Sequence, residues 1–227
     1  MIRDMLLEGN LANFSCLPMV DQLCTGRHVI MDAMTDEQLA VTFSMIQAAA
    51  VSGNGFGIDE FVSEKYFRQE IQDSHCFAII AKDNCELVGG IILAHSKFYR
   101  GATTMVDPFI IIKESERGQG LGEFAMRKAI EFSQKLGYVG MYVDTFSNNT
   151  GIIRILQKIG GFEQVGFLPV GGRLPNGQLV GSIIFYRDLT QDSPCDIEDT
   201  SEYGTDEYAD ISEEDLDTDN PVDLNLT

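Results

Sequence analysis

Arg117-Gly118-Gln119-Gly120-Leu121-Gly122 follows the apolar run Phe109-Ile110-Ile111-Ile112 and opens a helix-patterned stretch, Leu121–Leu136. Strand, glycine loop and helix in that order make an anion site. The first N–H groups of a helix have no partner within it, and the positive end of its dipole points the same way. Glycine lets the backbone approach a phosphate with no Cβ between them. A P-loop requires Lys-Ser or Lys-Thr after its last glycine, but Gly122 is followed by Glu123 and Phe124. A dinucleotide loop requires G-x-G-x-x-G and an acidic residue about twenty positions later. The spacing Gly118, Gly120, Gly122 does not meet it. The plainest reading is an ordinary surface loop, and the flanking chain decides against it.

Helix 121–136 places Phe124, Ala125, Ala129, Ile130, Phe132 and Leu136 on a period near 3.6. Gly137 caps it, and the alternation over Tyr138–Asp144 reads as a strand. Asn148-Asn149, a second helix over Ile152–Ile159, and Gly160-Gly161-Phe162 follow. The arginine-led pattern R-x-x-G-x-G (Arg117, Gly120, Gly122), with this strand, asparagine, helix and Gly-Phe behind it, resembles the GCN5-related N-acetyltransferase (GNAT) superfamily over about residues 28 to 189. The resemblance implies an α/β fold: a central, mixed, mostly antiparallel sheet of six to seven strands with four flanking helices.

It also implies acetyl-CoA as co-substrate, with no metal. Main chain of Ile110, Ile111 and Ile112 would pair with the pantetheine arm and offer an N–H to the thioester oxygen. Arg117, Gly118, Gln119, Gly120, Leu121 and Gly122 would take the pyrophosphate, and Asn149 would orient the cofactor through its amide. A plainer reading of Asn149 is a helix N-cap. Many members carry a tyrosine seven residues after this asparagine to protonate the departing sulfur. Here that position is Leu156, which has no hydroxyl.

Two carboxylates are candidates for the base. Asp144 ends an otherwise apolar strand (Met141, Tyr142, Val143), where a charge is costly unless paired or used. Asp107 opens the strand before Pro108. Each also has a structural reading: Asp144 as a turn-former before Thr145, Asp107 as a strand-entry cap. Leu136-Gly137-Tyr138, Gly166-Phe167-Leu168-Pro169, Leu174-Pro175-Asn176-Gly177 and Ile183–Leu189 resemble the fungal branch that acetylates azetidine-2-carboxylate and related proline analogues. That branch has asparagines where Asp107 and Asp144 stand. Two aspartates repel an acceptor's carboxylate and attract a protonated amine. The expected reaction is direct acetyl transfer to a primary or secondary amine of a small molecule or amino acid. The alternatives are a protein or peptide acetyltransferase and a non-catalytic acyl-CoA-binding module.

The chain has 227 residues, 44% of them apolar, enough for one core. Its net charge of −19 is uneven. Residues 190–227 hold 14 acidic and no basic side chains, leaving 21 acidic against 16 basic over residues 1–189. Such a tail cannot repay the entropy of ordering and is expected to be disordered. It reads as a solubilising tail, or as a lure for a basic partner or a phosphorylation target around Ser212–Asp215. Three domain segments follow: an arm over 1–27, the catalytic domain over 28–189 and the tail over 190–227. The low pI argues against direct nucleic-acid binding. Five cysteines without ligand spacing, and no apolar run near twenty residues, indicate a reducing compartment, cytoplasm or nucleus, and no membrane. Cys76 is expected as a buried free thiol, and the three histidines as structural or exposed groups. A monomer or homodimer is expected.

Towards the N-terminus, 28–34 reads as a strand, and Thr35 with Gln38 as a capping box for helix 36–50. The glycines from 53 to 57 form a loop, placed by the resemblance as a lid on the substrate side. A helix over 59–72, strands 76–82 and 86–95 about an Asp83-Asn84 turn, and strand 103–113 complete the reading. Strands near 162–168 and 181–187 flank a loop over Val170–Val180.

Overall fold

Residues 17–53, 55–96 and 104–191 are described by a computed structural model. Among them, eight strands and four α-helices alternate: β1 (Met19–Gln22), β2 (His28–Ala33), α1 (Asp36–Val51), α2 (Glu64–Glu70), β3 (His75–Ala81), β4 (Leu87–His95), β5 (Met105–Ile112), α3 (Leu121–Lys135), β6 (Gly140–Phe146), α4 (Thr150–Ile159), β7 (Glu163–Arg173) and β8 (Leu179–Asp188). All strands join one sheet in the order β1-β2-β3-β4-β5-β6-β8-β7. Every neighbouring pair is antiparallel except β5 and β6. The parallel pair needs a crossover, which α3 supplies.

Side-chain alternation along the central strands sorts the core into two layers. Ile91 and Ile92 are neighbours in β4, yet Ile91 packs with Met126, Ala129 and Phe132 of α3 while Ile92 packs with Ile46 of α1 and Phe67 of α2. A strand covered on both faces reads as a continuous apolar run, and β4 is buried from Val88 to Ala94. On β5, Val106, Ile110 and Ile112 join the α3–α4 layer, whereas Phe109 and Ile111 join the α1–α2 layer. On β6, Met141 and Val143 belong to the α3–α4 layer. Alternation therefore turns Asp107 on β5, and Tyr142 and Asp144 on β6, towards the α1–α2 face.

The expected capping box is present: Thr35 Oγ1 accepts from the Gln38 N–H, and Gln38 accepts from the Thr35 N–H. The fold class matches the expectation; the strand count is eight rather than six to seven. The extra strand is β1, four residues too short for a legible alternation. It is held by its ladder to β2, by buried Leu23, and by Lys128 Nζ 2.8 Å from Asp21 Oδ2. The helix expected over 59–72 spans only Glu64–Glu70, because the Ser63 hydroxyl accepts from the Tyr66 N–H and starts it there. The strands about the expected Val170–Val180 loop run further, so the turn is Leu174–Gln178. Pro169 fits within β7 because the ladder shifts register between Leu168 and Gly172, sparing it the N–H it lacks. Of the tail expected over 190–227, residues 192–227 lie outside the described residues, as do residues 1–16 of the arm expected over 1–27. None of the described helices is long and apolar enough to cross a membrane.

Candidate active site

β5 and β6 pair only at Met105–Gly140 and Val106–Met141. Beyond those pairs both strands continue without bonding each other, and a cavity of about 910 Å³ occupies the gap. One wall is β5 from Asp107 to Ile112; the other is β6 from Val143 to Phe146 and the start of α4. The glycine loop lies at one end, and the Gly53–Glu60 loop and the end of β7 at the other. A parallel pair that parts partway thus makes a cleft with unpaired main chain along its side.

At the glycine end, Gly118 (φ +74°) and Gly120 (φ +82°) take the left-handed conformation that favours glycine. A Cβ at Gly118 would meet nothing within 4 Å, so this part of the loop faces open space. A Cβ at Gly120 would stand 3.0 Å from Cys24 Sγ. The first bond of α3 is from the Phe124 N–H to the Gly120 carbonyl, 3.0 Å. The N–H groups of Leu121, Gly122 and Glu123 therefore precede the helical ladder and point out of its end. These residues fit a pyrophosphate. The Arg117 side chain reaches back to the Ile112 carbonyl, with Nε at 3.4 Å.

Of the residues singled out from sequence, Asp107, Ile110, Ile111, Ile112, Arg117, Gly118, Gly120, Gly122, Asp144 and Asn149 all line this one cavity. Gln119 and Leu121 do not. Gln119 Oε1 lies 3.5 Å from Arg27 Nη1, beside the Arg27–Glu116 ion pair, and the Leu121 side chain is buried in the core. Asn149 occupies the N-cap position of α4, but its side chain makes no capping bond. Its amide instead donates to Thr145 Oγ1 at 3.1 Å, and it abuts the backbone at Gly55: a Cβ there would come within 2.7 Å of Asn149 Nδ2.

At the other end stands Asp144, whose Oδ2 accepts from the Ser182 hydroxyl at 3.3 Å, a proton shared with the Thr145 carbonyl at 3.2 Å. Burial by the cleft walls raises the Asp144 pKa above the usual carboxylate range, against the opposing Ser182 bond. The carboxylate remains open to cavity water, so the walls thin the solvent without sealing it out. Tyr142 is pushed up to about 12 by burial and then by the charges of Asp144 and Asp107. It stays a neutral phenol close to both.

Glu60 is the cavity residue that sequence reading missed. It lies in the loop before α2 and is solvent-exposed along the cavity; the signal was Ser63, the N-cap that starts α2 later. Its carboxylate accepts from the Gly57 N–H at 2.8 Å. Burial, then the charge of Asp144, raise its pKa. Asp59 beside it pairs with Arg173 of β7, and a Cβ at Gly53 would lie 3.7 Å from Leu174. The Gly53–Glu60 loop thus touches the β7–β8 hairpin and narrows this end of the cleft. Among the described residues no group of His, Cys, Asp or Glu is placed to hold a metal ion.

The sequence profile of the acetyltransferase (GNAT) family matches residues 45–162, more than half of the chain. The chain belongs to the acetyltransferase (GNAT) family. No curated protein matches it by sequence. Solved structures share its fold. A GNAT-superfamily phosphinothricin acetyltransferase from Sinorhizobium meliloti, in complex with AcCoA, is 14% identical, with TM-score 0.62 over 70% of this chain and 88% of that one. A ribosomal-protein-alanine N-acetyltransferase from Brucella melitensis is 15% identical, with TM-score 0.61 over 70% and 98%. A GCN5-related N-acetyltransferase from Kribbella flavida is 15% identical, with TM-score 0.60 over 70% and 97%.

Leu156, expected from the resemblance to stand where many members carry a tyrosine, has no hydroxyl. It is 1% exposed, packed in the α3–α4 core layer. No proton donor can reach the cleft from that position. Cys76 is likewise chemically quiet, its thiol pushed up to about 11 by burial.

Proposed function

We propose that the protein transfers acetyl from acetyl-CoA to the amine nitrogen of a small molecule or amino acid, with Asp144 as the general base. The observation that supports this reading best is the placement of Asp107 and Asp144 in one cavity with the glycine loop. The glycine loop N–H groups and Arg117 would hold the pyrophosphate, and the unpaired main chain of Ile110–Ile112 would hold the extended arm. A thioester supplies an activated acyl group. Asp144 takes the proton from the acceptor nitrogen as the N–C bond forms, and its raised pKa brings it closer to neutrality, where a base works best. Asp107 attracts the acceptor as an ammonium ion, which gives one proton to water to free its lone pair. The proton Asp144 takes is the second, lost as the N–C bond forms and the thioester C–S bond breaks. Because Leu156 offers no hydroxyl, the departing thiolate takes its proton from water.

Two aspartates disfavour an acceptor that brings its own carboxylate between them, so a simple amine suits this site better than the proline analogues of the fungal branch. The contact of the Gly53–Glu60 loop with the β7–β8 hairpin favours a small acceptor over a polypeptide. A thiol-release assay across amines, amino acids and basic peptides tests this reading. Turnover greatest with small amines supports it. Tight acetyl-CoA binding without turnover of any acceptor would overturn it in favour of a binding module.

A further inference from the structure

Glu60 has no role in the proton transfer just described, yet it faces the same end of the same cavity. Its carboxylate is held by the Gly57 N–H at 2.8 Å. A Cβ at Gly57 would stand 3.7 Å from Glu60 Oε2 and 3.8 Å from Phe146 Cζ, so Gly57 is close to both the carboxylate and that ring. Phe146 is two residues beyond Asp144 on β6, and alternation puts both side chains on one face. Glu60, Phe146 and Asp144 line the one cavity, near enough that the Asp144 charge is felt at Glu60. Among the described residues no basic side chain pairs with Glu60 or Asp144; the nearby Arg173 is taken by Asp59. Phe146, Phe56 and Ile58 give the same cavity apolar lining.

We infer that Glu60 is a specificity-determining residue for a diamine or polyamine acceptor, binding its distal ammonium while the reacting amine lies at Asp144. The inference rests on the acetyltransferase reading above and names the substrate class of that site. A monoamine leaves Glu60 without a partner, and a free carboxylate on the acceptor would meet a third negative group. An aliphatic spacer lies against Phe146 and Ile58, where methylenes gain by leaving water. An ammonium–carboxylate hydrogen bond in a partly closed site is among the stronger polar contacts. The atoms balance: the reacting ammonium gives one proton to water, and its nitrogen then forms the N–C bond as the thioester C–S bond breaks and loses a second proton to Asp144. The leaving thiolate takes a proton from water, and the distal ammonium keeps its protons throughout.

The test compares the full chain with Glu60→Gln, which retains an oxygen for the Gly57 N–H and loses only the charge. Acceptors are 1,4-diaminobutane and n-butylamine, matched in the reacting end. The wild type is expected to favour the diamine in kcat/KM by roughly tenfold or more, and Glu60→Gln to bring that ratio close to one. The change falls mainly in KM for the diamine. Calorimetric binding of the diamine to the chain saturated with coenzyme A should weaken by a similar factor, a readout independent of turnover. Amine turnover with equal kcat/KM for the two acceptors, or a ratio indifferent to Glu60→Gln, overturns this inference and leaves the acetyltransferase reading intact. No turnover of the diamine overturns this inference, whereas the acetyltransferase reading falls only if no acceptor in the wider screen of amines, amino acids and peptides is turned over.

Discussion

Asp144→Asn separates catalysis from architecture at this site. Asparagine has the shape of aspartate and keeps an oxygen for the Ser182 hydroxyl, 3.3 Å away, so the β6–β8 ladder is not disturbed. What is lost is the proton acceptor and one charge. A positioned base contributes about 10²- to 10⁴-fold, equivalent to about 3 to 5 kcal/mol of activation free energy. Asp107 lines the same cavity and can take a proton through water, so the expected loss in kcat lies in the lower part, about 10²- to 10³-fold. Stability should move the other way. The folded-state pKa of Asp144 is raised, chiefly by burial, so ionised Asp144 costs the native state free energy as pH rises through that value. Asp144→Asn should therefore have a higher Tm than wild type at neutral pH. The gain should vanish as pH falls below the ordinary aspartate value of about 3.9. Steady-state kinetics and thermal melts on the same samples decide it. A variant that loses activity and stability together would mean a structural role, and a larger rate loss in Asp107→Asn would transfer the base to that residue.

Ser182→Ala removes the hydrogen bond that favours ionised Asp144, so its pKa rises further. The acid limb of the kcat/KM profile should shift to higher pH; an unmoved limb would remove Asp144 from the titration. Gly120→Ala forces a side chain into φ +82° and brings Cβ to 3.0 Å from Cys24 Sγ, costing about 1–2 kcal/mol from the backbone alone. KM for acetyl-CoA should rise by more than kcat falls, measured at saturating amine. Lys128→Met breaks the link from α3 to Asp21 of β1 and to Glu131, both at 2.8 Å. The loss should be about 1 kcal/mol at most at neutral pH in a denaturant melt. Burial alone would raise the Glu131 pKa, but Lys128 and Lys135 outweigh it and hold it low. That stabilisation is present above the ordinary glutamate value and fades as pH falls through the folded one. The gap between variant and wild type should accordingly narrow below about pH 4.

Local chemistry is what made much of this legible. The Thr35–Gln38 capping box, the glycine loop and the 3.6 period of α3 each act within a few residues, and each stands where the sequence placed it. Asp144 drew notice because a charge in an apolar strand is costly wherever that strand lies. β1 was not legible, since four residues carry too little pattern and its stability comes from β2 and Lys128, far along the chain. Glu60 was missed for a related reason. Its place depends on where α2 starts and on the fold of a glycine loop against a hairpin more than a hundred residues later.

The sequence by itself determined the donor half: a strand, a left-handed glycine turn and a helix end suffice to make an anion cradle, because orphan N–H groups follow from helix geometry alone. Only the tertiary structure decided which carboxylates share the cavity. Asp107 and Asp144 share a cavity because β5 and β6 pair at two positions and then part. Glu60 joins them because its loop packs against the β7–β8 hairpin. Neither event has a local signature, since both depend on which distant strands and loops the core brings together.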